Sequence, residues 1–176
     1  MPIALLGHIP VIADVIPGSF NTGPREIEQM ISPLTRGIVV AHIAGEPADM
    51  DGIMAVARNH DLPVVEDCAQ SCGGQYRGQW VGTLGDIGCF SISAYKIVGG
   101  GEGGLLLTDN ERLYERAQGL AECGGLWRPS RFAPPRYEGE LFCGTNYRMS
   151  ELEAAVDVVQ LSKMPEVVGR FRSVKR

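Results

Sequence analysis

Residues 38–68 read IVVAHIAGEPADMDGIMAVARNHDLPVVEDC, and this stretch decides the fold. It opens with an apolar run at 38–43 and closes with another at 63–68, and both have the Val- and Ile-rich composition of strands buried on both faces. Residues 47–60, between the two runs, have helical spacing. Their apolar side chains fall at i, i+3, i+4 and i+7 and form one stripe, Met50, Ile53, Met54 and Ala57. A strand, a helix and a second strand in this order predict parallel strands with a helix packed on the sheet.

The same alternation continues on both sides of this stretch. Further apolar runs predict strands at residues 11–15, 87–93 and 104–108. Helical spacing predicts a short helix over 24–31. Two capping boxes predict the starts of two more helices, Thr108 with Glu111 and Ser150 with Glu153. Behind the second box lies an apolar stripe of Leu152, Ala155, Val156 and Val159. The predicted fold is therefore α/β, with a mostly parallel sheet flanked by helices.

Composition and charge exclude several classes of protein. The chain has 176 residues with 44% hydrophobic and 21% charged residues, which is typical of a globular domain. Its net charge is 16 − 21 = −5 with histidine neutral, and this argues against a nucleic-acid partner. The apolar N-terminal stretch has no basic region and is interrupted by polar residues and prolines, so we expect neither a signal peptide nor a membrane span. Five cysteines without a CxxC pair favour a reduced, cytoplasmic location.

An acidic residue ends the second strand of the quoted stretch. Asp67 follows an apolar run and so lies at the carboxyl end of a buried strand. Ligands of open α/β sheets bind at that edge, and an acid there is costly unless a cation or a network of donors meets it. Asp67 is therefore a candidate ligand-binding residue. This motif alone is equally consistent with a helix N-cap at an ordinary strand-to-helix turn.

Lys96 is the candidate nucleophile. Of the three lysines in the chain, only this one lies between an apolar strand and a glycine cluster, at 99–104. A semi-buried site disfavours the ammonium form of a lysine and frees a nucleophilic amine. The hydroxyls of Ser91 and Ser93 are placed to bind a phosphate beside it, and glycines allow a close approach of the backbone to a ligand. The alternative is a surface lysine after a strand, followed by a glycine-rich turn.

Other readings of these residues fit less well. The glycine cluster lacks the GxxxxGK[ST] order of a P-loop, and a strand follows it where a dinucleotide-binding motif requires a helix. The histidines share no metal-ligand spacing with one another or with the cysteines, so we expect no metal site. The GxSxG motif of serine hydrolases is absent from the sequence.

Taken in order, the motifs of this chain resemble those of the DegT-type sugar aminotransferases, pyridoxal-phosphate enzymes of the aspartate aminotransferase fold. The resemblance covers nearly the whole chain. It is carried by Pro10-Val-Ile-Ala-Asp-Val15, Gly45-Glu-Pro-Ala-Asp-Met50, Val65-Glu-Asp-Cys-Ala-Gln70, Gly85-Asp-Ile-Gly-Cys-Phe-Ser91, Lys96, Glu102-Gly-Gly104 and Gly144-Thr-Asn-Tyr-Arg-Met149. It implies the large domain of a fold-type I aminotransferase.

The resemblance also implies a role for each of five residues. Lys96 would form a Schiff base with pyridoxal phosphate and then transfer the proton during catalysis. Asp67 would pair with the protonated pyridine nitrogen, as expected for this cofactor. Gln70 would lie beside the ring, Ser91 would bind the phosphate, and Asn146 would reach the phosphate of a neighbouring subunit. The implied assembly is a homodimer.

Two features of the family are not matched. Nothing before Pro10 resembles the upstream segment that holds the phosphate and stacks on the ring, and we expect the C-terminal small domain to lie outside these 176 residues. The resemblance therefore implies a fold incomplete at both ends. Residues 1–164 would be a partial cofactor-binding large domain, and residues 165–176 would begin the connection to the small domain.

Three functions are open on these grounds. The first is a transaminase that moves an amino group from glutamate or glutamine to a keto sugar or keto-cyclitol. The second is a catalytically incompetent fragment that acts as a dimerising or regulatory α/β module, and the third is a pyridoxal-phosphate enzyme of another reaction type. In the aperiodic stretch 124–145, Arg128, Arg131 and Arg136 could hold a carboxylate or the phosphates of a nucleotide-linked sugar. A solvated or subunit-facing loop is the favoured alternative for that stretch.

Overall fold

The structure, a computed structural model, describes residues 2–124 and 143–174. In these ranges the α-helices are α1 (Pro2–Leu5), α2 (Pro24–Glu28), α3 (Met50–Asn59), α4 (Glu111–Ala121) and α5 (Glu151–Val174), and a 3-10 turn spans Ile43–Gly45. The strands are β1 (Ile38–Ala41), β2 (Val64–Asp67), β3 (Gln75–Tyr76), β4 (Gln79–Trp80), β5 (Ile87–Ser91) and β6 (Gly104–Leu107).

The main sheet has four strands in the order β1-β2-β5-β6. β1, β2 and β5 are parallel, whereas β6 runs antiparallel to β5, and a separate hairpin pairs β3 with β4. The predicted α/β fold with a mostly parallel sheet is confirmed. Because Asp67 pairs with both Ala41 and Cys89, the carboxyl ends of the three parallel strands meet at one edge of the sheet. β6 begins at that same edge, where Gly104 pairs with Ser91.

Helix α3 covers one face of this sheet and forms the core with it. Its N-cap is Asp49, whose carboxylate accepts a hydrogen bond from the Gly52 amide. The buried residues of α3 pack with buried residues of β1 and β2, and α2 adds Ile27 to the same cluster. The members on α3, β1 and β2 are Met50, Ile53, Val56, Ala57, Ile38, Val40 and Val64. The predicted strand–helix–strand unit is therefore the part of the chain that builds the core.

The predicted strand at 11–15 is wrong. These residues form no strand, and the side chain of Ile12 is 78% exposed. β1 pairs with β2 and with no other described strand, so nothing in the described part of the sheet satisfies the backbone of 11–15. An apolar run becomes a strand only when a neighbour takes up its backbone hydrogen bonds. The other predicted strands and the helix at 24–31 are present but shorter than predicted.

One of the two capping boxes is correct. Ser150 and Glu153 bond reciprocally at the start of α5, because Ser150 Oγ accepts from the Glu153 amide and the Glu153 carboxylate accepts from the Ser150 amide. The Thr108 box is wrong, since the N-cap of α4 is Asn110, whose side chain accepts from the Leu113 amide. Thr108 Oγ1 instead donates to the Asp86 carbonyl.

Many apolar side chains of helix α5 are exposed. None of its 24 residues is buried, and Leu152 is 83% exposed. Thus the stripe behind the second capping box does not face the core. The helix continues through Pro165, where the sequence predicts the start of an interdomain connection. Among the described helices, none combines the length and the apolar character that crossing a membrane requires.

Candidate active site

Four of the five sequence-predicted site residues lie at one edge of the sheet. Asp67 is the last residue of β2 and Ser91 the last residue of β5, and these strands are neighbours. Gln70 and Lys96 follow them in the turns that leave the same edge. The parallel arrangement of the strands is the reason for this convergence, because it brings their carboxyl ends together.

Asp67 is exposed and closes a tight turn of its own backbone. Its Oδ1 accepts a hydrogen bond of 3.0 Å from the Ala69 amide. Residues 68–74 form turns and no helix, so the helix N-cap alternative for this residue is wrong. Among the described residues, none donates a hydrogen bond to Oδ2. The carboxylate therefore keeps one oxygen for a ligand outside the sheet edge.

Gln70 is oriented by the turn that follows β1. Its Oε1 accepts a 2.9 Å hydrogen bond from the Ala44 amide in the 3-10 turn Ile43–Gly45. Ala44 has φ 55°, in the left-handed region that residues other than glycine rarely adopt. The chain therefore turns sharply at the residue whose amide bonds Gln70. Within the part of the chain that the structure describes, the amide nitrogen of Gln70 forms no hydrogen bond.

Lys96 lies in a folded turn between β5 and β6. The Lys96 amide donates to the Ser93 carbonyl at 2.9 Å, and the side chain is half-buried. No carboxylate within the described ranges forms an ion pair with its ammonium group. Ser91 Oγ lies 3.5 Å from both Oγ and the amide nitrogen of Ser93, so two hydroxyls cluster beside the strand end. The structure thus places a primary amine and two hydroxyls on one short segment.

The glycine cluster makes room for helix α5. A methyl group on Gly100 would lie 2.7 Å from Asp157 Cγ, and one on Gly101 would lie 2.9 Å from Glu153 Oε1. The carboxylate of Glu153 also accepts from the Glu102 amide at 3.3 Å. The close approach that these glycines permit is therefore to side chains of α5. The same helix reaches the turn after Gln70, where a methyl group on Gly73 would lie 2.8 Å from Val168.

A buried polar pair, not foreseen from the sequence, lies beneath this edge. His42 and Glu66 are both fully buried, and His42 Nε2 lies 3.0 Å from Glu66 Oε2. The carboxylate also accepts backbone hydrogen bonds of 2.7–2.8 Å from Gly82, Leu84 and Gly85. Burial raises the pKa of Glu66. The hydrogen bonds from His42 and from the three amides together lower it by more, so the pKa lies below its ordinary value of 4.5.

The second nitrogen of His42 defines its tautomer. Nδ1 lies 3.1 Å from the amide nitrogen of Ala48, which can only donate, so Nδ1 accepts and carries no proton. The ring is therefore neutral, and Nε2–H donates to Glu66 in a hydrogen bond, not an ion pair. The one signal in the sequence was a glutamate inside an apolar strand, because a buried acid must find donors.

Cys68 completes a group of three buried potential metal ligands with His42 and Glu66. Both ring nitrogens and all four acceptor positions of the carboxylate are already used by protein donors and acceptors. Burial and the nearby Glu66 charge raise the pKa of the Cys68 thiol to about 12, so it is protonated. These three residues are therefore suited to a structural network and not to a metal ion, which needs deprotonated, free ligand atoms.

Asn146 stands apart from the other four residues. It lies in a segment that runs beside the end of α4, where the Thr145 carbonyl accepts from Cys123 and the Tyr147 amide donates to Ala121. The side chain is exposed, and its Oδ1 accepts 3.2 Å hydrogen bonds from the amide and Nε of Arg148. The candidate loop residues Arg128, Arg131 and Arg136 lie outside the described residues.

Known proteins resemble this chain over most of its length. Residues 1–175 match the family model described as DegT/DnrJ/EryC1/StrS aminotransferases. The chain belongs to this family. L-glutamine:2-deoxy-scyllo-inosose aminotransferase of Streptoalloteichus tenebrarius is 40% identical over 162 residues, which are 90% of this chain and 38% of that enzyme. GDP-perosamine synthase of Caulobacter vibrioides is 36% identical over 169 residues, covering 93% and 42% of the two chains.

A solved structure has the same fold. The X-ray structure of an aminotransferase from Psychrobacter cryohalolentis superposes with a TM-score of 0.84 and 38% identity, over 93% of this chain and 42% of that one. The chain thus spans about two fifths of the length of the curated relatives it matches. The predicted resemblance to the DegT-type family and the fold that it implies are both confirmed for this chain.

Proposed function

We propose that the protein is a pyridoxal-phosphate-dependent transaminase, and that Lys96 is its catalytic residue. One observation carries this proposal. Lys96 is a half-buried lysine without an ion-pair partner among the described residues, and it follows the strand next to the one that ends in Asp67. An amine and a carboxylate at the same sheet edge are the two groups that this cofactor requires from a protein.

The donor set at this edge fits the cofactor. A phosphate ester needs hydroxyl and amide donors, which the cluster of Ser91 and Ser93 supplies. A protonated pyridine nitrogen needs an anion with an unused oxygen, and Asp67 Oδ2 meets this need. An aldehyde needs an amine that is not held in an ion pair, and Lys96 has no such partner within residues 2–124 and 143–174. Gln70 would lie beside the ring with its amide nitrogen.

Each of these residues has a distinct task in the proposed reaction. The bound cofactor supplies an electron-withdrawing ring that stabilises negative charge on the substrate carbon. Lys96 Nζ would hold the cofactor in the resting enzyme, and during turnover it would carry a proton from the substrate carbon to the cofactor carbon that takes up the amino group. Asp67 would hold the proton on the pyridine nitrogen by its charge. Ser91 would anchor the phosphate, which would keep the reacting atoms aligned with Nζ.

We further propose a homodimer in which Asn146 serves the neighbouring subunit. The separation of Asn146 from the other four residues supports this assignment, since a residue for its own site would be expected at the sheet edge. Because Asn146 Oδ1 accepts from Arg148, the amide nitrogen Nδ2 would be the atom that donates to the partner's phosphate.

The relatives support a substrate class. One relative is named for amino transfer to a keto-cyclitol. Another is named for the synthesis of an amino sugar nucleotide. We propose that the acceptor here is likewise a keto-cyclitol or keto sugar. Glutamine is the proposed donor, with glutamate as the alternative, because the cyclitol relative is named as a glutamine enzyme.

The decisive experiment locates the cofactor link. Protein expressed from its complete open reading frame is loaded with pyridoxal phosphate, reduced with borohydride and digested for peptide mapping. The label is expected on Lys96, with the exposed Lys163 of α5 as the internal comparison. Lys96→Ala should abolish amino transfer from glutamine to a keto-cyclitol, whereas Lys163→Ala should not. A label on Lys163 or Lys175, or none, would mean that the chain acts as a non-catalytic α/β module.

A further inference from the structure

The buried pair of His42 and Glu66 has no task in the proposed reaction, although it lies directly beneath the residues that do. We infer that His42, anchored by Glu66, is a positioning residue that holds Asp67 and Gln70 in the arrangement needed for the cofactor ring. This inference rests on the proposed function, because it takes Asp67 and Gln70 as residues that bind the cofactor. The hydrogen bonds that hold these two residues in place are observed in the structure.

Glu66 holds the end of β2 in place from the buried face of the sheet. It precedes Asp67, and successive side chains of a strand point to opposite faces, so the buried Glu66 carboxylate faces inward while Asp67 is exposed. Its hydrogen bonds to Gly82, Leu84 and Gly85 fasten the strand end to the 82–85 turn. Movement of Asp67 would therefore require breaking bonds to a buried anion, which is costly.

His42 fixes the same strand end from the side and shapes the next turn. Its amide donates to the Asp67 carbonyl at 3.1 Å, while its ring bridges Glu66 and the Ala48 amide. The ring thereby closes residues 42–48 into a loop. Both backbone and side chain of His42 thus contribute to the location of this edge.

The loop closed by His42 presents one amide to Gln70. Ala44 holds a left-handed conformation, and its amide donates to Gln70 Oε1. Such a conformation persists only where the surroundings over-determine it. On the far side of the loop, the buried side chain of Asn21 accepts from Ile43 and donates to the Glu46 carbonyl. The ring of His42 and the side-chain amide of Asn21 therefore both hold this loop in place.

The test compares substitutions that remove or keep the two hydrogen bonds of the ring. His42→Leu removes both, and His42→Gln keeps one acceptor and one donor. Val56→Ala is the control, because Val56 is a buried core residue of α3 whose side chain takes no part in the hydrogen bonds of His42 and Gln70. All are compared at a temperature where circular dichroism shows them folded. Asn21→Ala loosens the same loop from its far side, should His42→Leu not fold.

Two measurements separate positioning from general stability. Hydrogen exchange of the peptide that contains Ala44, measured without cofactor, is expected to be faster in His42→Leu or Asn21→Ala and unchanged in Val56→Ala. The apparent Kd for pyridoxal phosphate is expected to rise about tenfold, and the visible circular dichroism band of the bound cofactor should weaken. His42→Gln should restore both signals.

Several outcomes would overturn the inference. Unchanged exchange at Ala44 in His42→Leu would show that the ring does not hold the loop. Faster exchange at Ala44 together with an unchanged Kd and an unchanged dichroism band would show that the loop does not position the cofactor ring. An equal loss of cofactor affinity and of the dichroism band in Val56→Ala would show that the effect comes from a general loss of stability. Failure of the proposed function is recognised separately, because the unsubstituted protein would then carry no label on Lys96, and the cofactor part of the inference would fall with it.

Discussion

Gly88 in β5 lies against the backbone of Gly82, with no room for a side chain between them. A methyl group on Gly88 would lie 2.5 Å from Gly82 Cα and closer still to the Gly82 carbonyl. The contact allows the 82–85 turn to sit on the strand and direct its amides at Glu66. A residue without a Cβ is required here because the opposing atoms are backbone, which cannot rotate away.

Gly88→Ala is therefore expected to be strongly destabilising. The turn must move off β5, and Glu66 then loses backbone donors while it stays buried. We expect a loss of about 2–3 kcal/mol in the free energy of unfolding, from overpacking and unsatisfied hydrogen bonds. Urea denaturation followed by circular dichroism measures it.

Gly37→Ala is the matched control for this substitution. A methyl group there would meet Pro63 at 3.4–3.5 Å, an ordinary van der Waals contact. We expect its stability to change by less than about 0.5 kcal/mol. Equal effects of the two alanines would show that the contact between Gly88 and Gly82 does not limit the position of the turn.

Acid should weaken the fold through Glu66. Because hydrogen bonding lowers the pKa of this carboxyl in the folded protein below its ordinary value of 4.5, Glu66 stabilises the fold fully above about pH 4.5. That contribution is lost as the pH falls through the lower, folded-state pKa. Unfolding free energies measured between pH 7 and pH 3 should therefore decrease.

The variant Glu66→Gln isolates this contribution to acid sensitivity. The amide cannot ionise, so the variant should be less stable at pH 7 and should lose less stability in acid. If the wild type and Glu66→Gln show the same pH dependence between pH 5 and pH 3, other carboxyls control the acid response.

The sequence predicted the strand–helix–strand unit because its pattern is local. The apolar stripe from Met50 to Ala57 and the runs that became β1 and β2 lie in one continuous stretch, although Val56, outside the predicted stripe, is buried and Met54 is only partly buried. The strand predicted at 11–15 is wrong for the opposite reason. Whether an apolar run is a strand depends on a partner, and partners are not visible in local composition.

The sheet edge was predictable, but its support was not. Asp67 and Ser91 follow apolar strands, so their convergence follows from parallel pairing alone. The pairing of His42 with Glu66 joins residues 24 positions apart through their side chains. Nor could the sequence show that the glycines at 100 and 101 face α5, because the docking of that helix depends on tertiary contacts with Asp157 and Glu153. Long-range polar contacts and helix docking have no periodic signature.

Cysteine reactivity should follow burial. Burial and the charge of Glu66 raise the pKa of Cys68 to about 12, whereas Cys143 is exposed. Because the thiolate is the nucleophile, Cys143 should react with iodoacetamide at pH 8 in the folded protein and Cys68 should not. Peptide mapping after a short pulse measures both. In urea the two should react alike, and rapid labelling of Cys68 without denaturant would contradict its buried placement.

Asp67→Asn tests the charge of the sheet-edge carboxylate separately from its shape. An asparagine Oδ1 can still accept from the Ala69 amide, so the turn after β2 should persist. What is lost is the anion that would keep the cofactor ring nitrogen protonated. We expect a loss of several kcal/mol of transition-state stabilisation, on the order of a thousandfold in kcat. Asp86→Asn is the control, since Asp86 accepts from the Val64 amide at the opposite end of the strands. It should change stability slightly and kcat little. A near-normal kcat in Asp67→Asn would leave Asp67 with only its role in closing the turn at Ala69.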